Sequence, residues 1–214
     1  MLHIILASLG FLLILLVSEA CKKHFHFSAD ITRKIAHMFS GVFAFFLPYL
    51  LTRRELIVLS VLFIGIVFVT KTLGLFGSIH GVSRKTWGEI YFPLSLGLLA
   101  YFFLPNHVLS AQFGVLVLGF SDALASIVGI EFGSHKLKIW GHQKSIEGSG
   151  AFFVTTVILI IAFLAPTSFL AIIAGLFIAF FLTFVELFSI NGLDNLLLPI
   201  LGAYLFQYLL LALR

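Results

Sequence analysis

Residues 148–185 contain no charged side chain, and this stretch constrains the fold more than any other part of the chain. A helix needs about 20 residues to cross the hydrocarbon core of a bilayer, because the core is about 30 Å thick and each residue adds about 1.5 Å. The stretch is therefore long enough for two crossings. Pro166 marks the break between them, since proline removes a backbone donor and disfavours helix just before it.

Apolar runs of similar length fill most of the remaining chain. Of the 214 residues 61% are hydrophobic, well above the roughly 45 to 50% that is usual in soluble domains. The runs are continuous and do not alternate as the strands of a transmembrane barrel do. We predict an all-α, polytopic transmembrane helical bundle of about eight helices, which forms a single integral membrane domain over residues 1–214. The predicted spans are 2–18, 35–51, 55–70, 90–104, 108–128, 149–165, 168–186 and 195–213.

The positive charges indicate how the bundle is oriented. All but three of the 13 lysine and arginine residues fall in the odd-numbered connections, the exceptions being Arg53, Arg54 and Arg214. Because cytoplasmic loops are enriched in these residues, we expect the odd connections to be cytoplasmic and both termini to lie outside. The net charge of +4 then reflects orientation and a local anion site and does not indicate nucleic acid binding. The single cysteine, Cys21, excludes an internal disulfide and a cysteine metal cluster.

Asp122 is an ionisable residue inside a predicted span, where charged groups are costly and usually functional. Asp122, Ser126 and Gly129 share one helix face, at positions i, i+4 and i+7. Such a face of small residues lets a ligand or another helix approach closely. Two interpretations follow: a ligand or metal site, or a helix-packing stripe in which Asp122 pairs with a buried arginine.

The segment GHQKSIEGSG (141–150) concentrates polar residues directly before the long apolar run. It is not a P-loop, because Gly141 precedes Lys144 by only three positions and no strand is expected before it. Ser145 can nevertheless cap the next helix, whose N–H groups and positive dipole end favour phosphate. Glu147 would repel a polyphosphate unless a cation intervenes, and magnesium binds carboxylates together with phosphates. The alternative is that Ser145 and Glu147 only cap the helix.

Three further polar groups lie on the same predicted side of the membrane. They are Arg33, Lys34 and His37 at the second helix, Arg84, Lys85, Trp87 and Glu89 before the fourth, and Glu186, Asp194 and Asn195 between the seventh and eighth. Each group by itself is also typical of flanking cations, an interfacial tryptophan or a helix cap. Together they supply cations for a polyphosphate and carboxylates for a metal.

Five motifs, in this order along the chain, resemble those of the polyprenol kinase family. This family of integral membrane enzymes includes dolichol kinase, phytol kinase and a diacylglycerol kinase that uses CTP. The motifs are R-K-I-A-H (33–37), R-K-T-W-G-E-I-Y-F-P (84–93), S-D-A-L-A-S-I-V-G (121–129), K-S-I-E-G-S (144–149) and G-L-D-N-L-L-L-P (192–199). The fourth motif also resembles the K-T-x-E-G element of phosphatidate cytidylyltransferases, which use CTP as well. The aspartate-rich C-terminal signature of those enzymes is missing, because only Asp194 stands there.

The resemblance implies a CTP-dependent kinase that passes the γ-phosphoryl group to a lipid alcohol, either an isoprenoid alcohol such as dolichol, phytol or polyprenol, or diacylglycerol. Such transfer needs mainly positioning and charge neutralisation, here with Mg²⁺. The expected partners are CTP, the lipid alcohol and membrane lipids, and a homo-oligomer stays open. We expect CTP to be held by Arg33, Lys34, Arg84, Lys85, Lys136, Lys144, Ser145, Gly148 and Asn195, and magnesium by Asp122, Glu147 and Glu186. The expected catalytic residues are Asp122, Lys144, Asp194 and His37, of which Asp194 or His37 would accept the hydroxyl proton.

Two other functions stay open. A phosphatidate-type cytidylyltransferase would attack the α-phosphorus of CTP and release pyrophosphate. A transporter of anions or nucleotides is the second, because helix ends and midplane carboxylates also form transport sites. The sequence contains no pair of similar halves, and its cations crowd one face of the membrane. Both observations favour an enzyme over a transporter.

Overall fold

The computed structural model describes residues 2–81, 86–164 and 168–213. Most of these residues are helical, and the helices follow the predicted order. The first half of the chain forms α1 (Leu2–Phe25), α2 (Ala29–Leu50), α3 (Arg53–Thr72), α4 (Gly77–His80) and α5 (Gly88–Phe103). The second half forms α6 (Val108–Leu116), a π-helical segment (Val117–Asp122), α7 (Ala123–Glu131), strands β1 (Lys136–Ile139) and β2 (His142–Ser145), α8 (Ile146–Leu164), α9 (Phe169–Phe188) and α10 (Asp194–Ala212).

The predicted all-α polytopic bundle of about eight helices is confirmed. Within the described residues, six helices are long and apolar enough to cross a membrane, and α6, the π-helical segment and α7 count among them as one continuous helix, Val108–Glu131. The other two predicted spans correspond to α2, which has 22 residues and a charged first half, and to the shorter α5. The chain is therefore an integral membrane protein. The four-residue helix α4 and the β1–β2 hairpin were not predicted.

Local signals explain where several helices begin. Ser28 caps α2 by accepting a hydrogen bond from the Ile31 amide, and Ser168 caps α9 in the same way. Thr52 and Glu55 form a reciprocal capping box at the start of α3. Since α2 starts at Ala29, it begins one and a half turns before the predicted span. Its charged residues are therefore part of the helix and do not belong to a flanking loop.

Two apolar clusters form the interior of the bundle. The first joins α1, α2, α3, α5 and α6, and the second joins α6, α8, α9 and α10. In the second cluster the rings of Phe113 and Phe206 stack with their centroids 4.4 Å apart. Many other large apolar side chains, such as Phe177 and Ile158, are exposed on the outer surface. This distribution suits a bundle in lipid, where close packing, not exclusion from water, holds helices together.

Four connections meet at one end of the bundle, which we call the polar end. Lys22 of α1 donates to the Gly77 carbonyl at 2.7 Å, and Glu19 accepts from the Ser78 amide at 2.8 Å, so α1 holds α4. The Trp87 amide donates to the Asn191 carbonyl at 3.0 Å, which joins the start of α5 to the connection between α9 and α10. The hairpin between α7 and α8 completes this end.

The hairpin is a two-stranded antiparallel sheet with a two-residue turn. Its register pairs Ile139 with His142, so that Trp140 and Gly141 form the turn. Both turn residues have positive φ, 51° and 82° respectively. Positive φ at both central residues is the signature of a type I′ turn, whose twist matches that of the strands. β2 ends at Ser145 and α8 begins at Ile146, so the hairpin continues directly into the first turn of α8.

Candidate functional site

A cavity of about 400 Å³ opens at the polar end, and we call it the polar pocket. It lies where α2, α8 and α10 begin and where α7 and α9 end, with the hairpin as one wall. Its lining combines three lysines, four carboxylates and His142 from distant parts of the sequence. The lysines are Lys34, Lys136 and Lys144, and the carboxylates are Asp30, Asp122, Glu186 and Asp194.

Asp122 is placed by a close contact between two helices. The π-helical segment ends at Asp122, and such segments occur frequently at functional sites. Gly119, one turn earlier, meets Gly41 of α2 so closely that a Cβ atom on Gly41 would lie 2.9 Å from the Gly119 Cα. This approach brings Lys34 to Asp122, and the Lys34 Nζ donates to the Asp122 Oδ2. Both side chains are buried.

Lys144 forms the second ion pair of the polar pocket. Its Nζ pairs with the Glu186 Oε1 and donates to the Glu186 carbonyl at 3.0 Å. Burial lowers the pKa of Lys144, but the carboxylates of Glu186 and Asp194 outweigh this effect and raise the pKa above its ordinary value. Lys144 therefore stays protonated and positively charged at neutral pH. The Glu186 Oε2 is buried and has no hydrogen-bond partner among the residues that the structure describes.

The first turn of α8 forms another part of the pocket wall. Ser145 caps this helix by accepting a hydrogen bond from the Gly148 amide at 3.1 Å, so the predicted cap is confirmed. A Cβ atom on Gly148 would lie 2.7 Å from the Ala125 carbonyl oxygen, which shows how closely α8 packs on α7. The predicted face of Asp122, Ser126 and Gly129 lines the pocket as well. Small residues thus keep the space in front of a helix N-terminus open.

The structure brings eight of the predicted site residues together in the polar pocket. These are Lys34, Asp122, Lys136, Lys144, Ser145, Gly148, Glu186 and Asp194. Arg33, His37, Asn195 and Glu147 do not line it. Arg84 and Lys85 lie outside the described residues. Asp30 lines the pocket but was not predicted, although its place two residues after Ser28, in the first turn of α2, is typical of an acidic residue near a helix N-terminus.

Glu147 points away from the polar pocket into a separate hydrogen-bonded group. Its Oε1 accepts from the Ser134 hydroxyl at 2.6 Å and lies 2.7 Å from the His135 Nδ1. The His135 backbone amide donates to the same carboxylate at 3.1 Å. These contacts hold the start of α8 to the residues before β1. The predicted role of Glu147 as a magnesium ligand gains no support from them and stays a prediction.

His37 and Asn195 lie beside the pocket without lining it. The His37 ring is buried against Phe92, with 5.1 Å between the ring centroids. Asn195 packs so closely on α5 that a Cβ atom on Gly88 would lie 2.1 Å from the Asn195 Nδ2. Arg33 is buried and lies 3.8 Å from the Asp30 carboxylate. These side chains therefore pack next to the residues that line the pocket.

Fold and site together define a polytopic helical membrane protein with a lysine-and-carboxylate pocket at one end. Over 179 residues the chain is 32% identical to a phytol kinase of Synechocystis sp., which covers 80% of this chain and 76% of that protein. An uncharacterized protein of Methanocaldococcus jannaschii is 33% identical over 123 residues, or 56% of this chain and 58% of that one. No family model and no solved structure matches the chain.

The likeness to the Synechocystis protein extends over four fifths of the chain. The chain therefore belongs to the polyprenol and phytol kinase family. This confirms the family that its motifs resemble.

Proposed function

We propose that the protein is a lipid-alcohol kinase that transfers the γ-phosphoryl group of CTP, with the help of Mg²⁺, to a long-chain isoprenoid alcohol or to diacylglycerol. One observation carries the proposal. Three lysines and four carboxylates meet in a single cavity at the first turn of α8, in a chain that belongs to the phytol kinase family. This set of charges suits phosphoryl transfer, which asks for charge neutralisation and positioning.

The lysines and the start of α8 are the proposed phosphate-binding groups. Lys34 of α2 and Lys136 and Lys144 of the hairpin provide positive charge at the cavity. The α8 N-terminus adds backbone N–H groups and the positive end of the helix dipole. The cavity volume of about 400 Å³ lies within the range that is usual for small-molecule sites. Arg84 and Lys85 keep their expected role in nucleotide binding as part of this proposal.

Asp122 and Glu186 are the proposed magnesium ligands. Both carboxylates line the cavity, and the Glu186 Oε2 is a buried oxygen without a hydrogen-bond partner among the described residues. Carboxylate oxygens are the protein ligands that Mg²⁺ prefers, usually one or two of them together with substrate phosphates. When bound, the ion would neutralise charge on the phosphates.

The two ion pairs of the pocket suggest how its residues change partners. Lys34 is paired with Asp122, and Lys144 with Glu186. Buried ion pairs are weak stabilisers, because desolvation offsets their attraction. In our proposal, nucleotide phosphates take the place of the carboxylates beside the lysines. The carboxylates then turn to the cation, so that neither set of charges is left unpaired.

Asp194 is the proposed acceptor of the hydroxyl proton. It lines the cavity, whereas His37 does not, and its Oδ1 is oriented by the Asn195 backbone amide at 2.9 Å. A general base must come within hydrogen-bond reach of the proton that it accepts. Asp194 therefore suits this role better than His37.

We further propose that the polar pocket faces the cytoplasm and that both termini lie outside. The cation distribution supports this orientation. It can be tested with single cysteines in a Cys21→Ser background, because Cys21 is the only native cysteine. Arg54→Cys, at the opposite end, should react with an impermeant reagent in intact cells. Lys138→Cys, on the hairpin, should react only after permeabilisation, and the reverse pattern would overturn the orientation.

The chemical test uses CTP labelled at two positions with a panel of lipid alcohols and purified protein in detergent. Label on the γ-phosphorus should pass to the lipid, and label on the α-phosphorus should not. Lys144→Ala and Asp194→Asn should lose the transfer. Lys23→Ala removes an exposed lysine that does not line the pocket, and this variant should keep the transfer. Lipid label from the α position alone would indicate a cytidylyltransferase, and label from neither position would favour a transporter.

A further inference from the structure

Trp140 occupies the tip of the hairpin in a conformation that does not suit it. Its φ is 51°, in the left-handed region, where a bulky residue is an outlier. Type I′ turns favour Asn or Gly at this position. The rest of the protein covers little of this side chain, because 74% of the residue is exposed. A strained and exposed tryptophan indicates a contact outside the chain.

Exposed apolar side chains flank the hairpin on both sides. Phe132 follows the last residue of α7 and is 72% exposed. Ile146, the first residue of α8, is exposed as well. Both helices belong to candidate membrane spans. The apolar side chains near the hairpin therefore continue the lipid-facing surface of α7 and α8 towards the membrane boundary.

The hairpin tip also forms part of the polar pocket. Gly141, His142 and Gln143 follow Trp140 directly and line the cavity. Lys144, in the same strand, makes the ion pair with Glu186. The tip is therefore directly continuous with the hairpin wall of the pocket, whose far end is held by the Lys144–Glu186 ion pair.

We propose that Trp140 inserts into the headgroup region of the membrane that surrounds the helices and thereby anchors the hairpin wall of the pocket at this interface. Tryptophan concentrates at membrane–water interfaces because its ring is apolar and its N–H is polar. The hydroxyl of a long-chain alcohol lies at the same depth. The anchored wall would thus receive the lipid substrate, an inference that rests on the proposed kinase function, whereas the insertion itself does not.

Insertion is tested by fluorescence, which needs no enzymatic activity. Trp140 and Trp87 are the two tryptophans of the chain, so Trp87→Phe leaves Trp140 as the single emitter. The variant is reconstituted in phosphatidylcholine vesicles that contain lipids brominated either near the headgroup or near the chain end. We expect strong quenching by the first lipid, weaker quenching by the second and poor quenching by iodide in water. Efficient iodide quenching without an effect of brominated lipid would overturn the proposal. Poor quenching by both reagents, as expected if a protein partner covers the tip, would overturn it as well.

The link to the substrate is tested with Trp140→Asn. Asparagine suits the type I′ turn better than tryptophan, so this variant keeps the hairpin while it loses the indole. In vesicles, the KM for the lipid alcohol should rise several-fold, while the KM for CTP stays unchanged. The lipid KM of Trp140→Phe should lie between those of Trp140→Asn and the parent protein. Equal lipid KM values in Trp140→Asn and the parent would overturn the link to the substrate. Absence of kinase activity in the parent would instead reject the proposed function and leave the fluorescence result to stand.

Discussion

Two buried groups of charges lie at the polar end of the bundle, and they differ in what surrounds them. In the polar pocket, the pairs Lys34–Asp122 and Lys144–Glu186 border a cavity of about 400 Å³. In the second group, which we call the Glu89 cluster, Lys71 donates to Glu89 at 2.6 Å. Glu89 does not line that cavity. The same residue chemistry thus faces a ligand-sized space in one group and protein in the other.

The Glu89 cluster is held by its neighbours. Lys71 also donates to the Thr86 carbonyl at 3.0 Å and lies over the Trp87 ring, 4.9 Å from its centroid. The His80 Nδ1 lies 3.6 Å from the Glu89 carboxylate. These contacts fix the chain just before α5, which packs on the start of α10. The comparison suggests that the Glu89 cluster positions the helix that carries Asp194, while the polar pocket binds the reactants.

The largest effect is expected when one carboxylate of each group is replaced by the corresponding amide. Asp122→Asn keeps the shape of the side chain and removes its charge, so we expect turnover to fall by roughly 10² or more, as for other groups that stabilise transferred charge. Glu89→Gln makes the same kind of change outside the pocket and should lower thermal stability more than turnover. Steady-state kinetics and melting of both proteins in detergent provide the measurement. Equal losses of turnover would remove the distinction between the two groups.

Glu186→Gln should produce the next largest effect, on the metal requirement. The amide keeps the size of the side chain but is a poor ligand for Mg²⁺, so the Mg²⁺ concentration for half-maximal turnover should rise by about tenfold. Titration of activity with Mg²⁺ at saturating CTP measures this shift. An unchanged Mg²⁺ dependence would exclude Glu186 from the metal site. Lys23→Ala provides the control that should titrate like the parent protein.

Gly88→Ala tests the contact through which the Glu89 cluster supports α10. The added Cβ would meet the Asn195 Nδ2 at 2.1 Å, and overpacking of this kind costs about 1 to 3 kcal/mol. We expect a lower melting temperature and a moderate loss of turnover. Gly65→Ala is the matched control, because its Cβ would meet no atom within 4 Å. If both variants melt alike, the contact at Gly88 is not required.

The smallest effect is expected for Glu147→Gln. The sequence context predicts a magnesium ligand at this position, and such a role would require a large loss of turnover. The carboxylate is instead bonded to Ser134 and His135, so we expect most of the turnover to remain. A loss as large as that of Asp122→Asn would return Glu147 to the metal site and would require the first turn of α8 to rearrange.

Several features of the protein could be predicted from the sequence because they depend on short segments. A long uncharged run is by itself enough to specify a membrane helix, and Pro105 with its neighbours marks the break between α5 and α6. The Ser145 cap depends on residues three positions apart. The hairpin was missed because its strands have only four residues each, too few for their alternation to stand out beside charged neighbours.

The sequence by itself determined that the chain is a helical membrane protein of the phytol kinase family, and which polar residues its helix ends carry. Only the tertiary structure decided which of them meet. Lys34 and Asp122 are 88 positions apart, and Lys144 and Glu186 are 42 apart, so no local spacing relates them. Their pairing depends on how closely the helices approach, as at Gly41 and Gly119. Such packing arises from the complementary shapes of two distant surfaces, which no single segment of the chain contains.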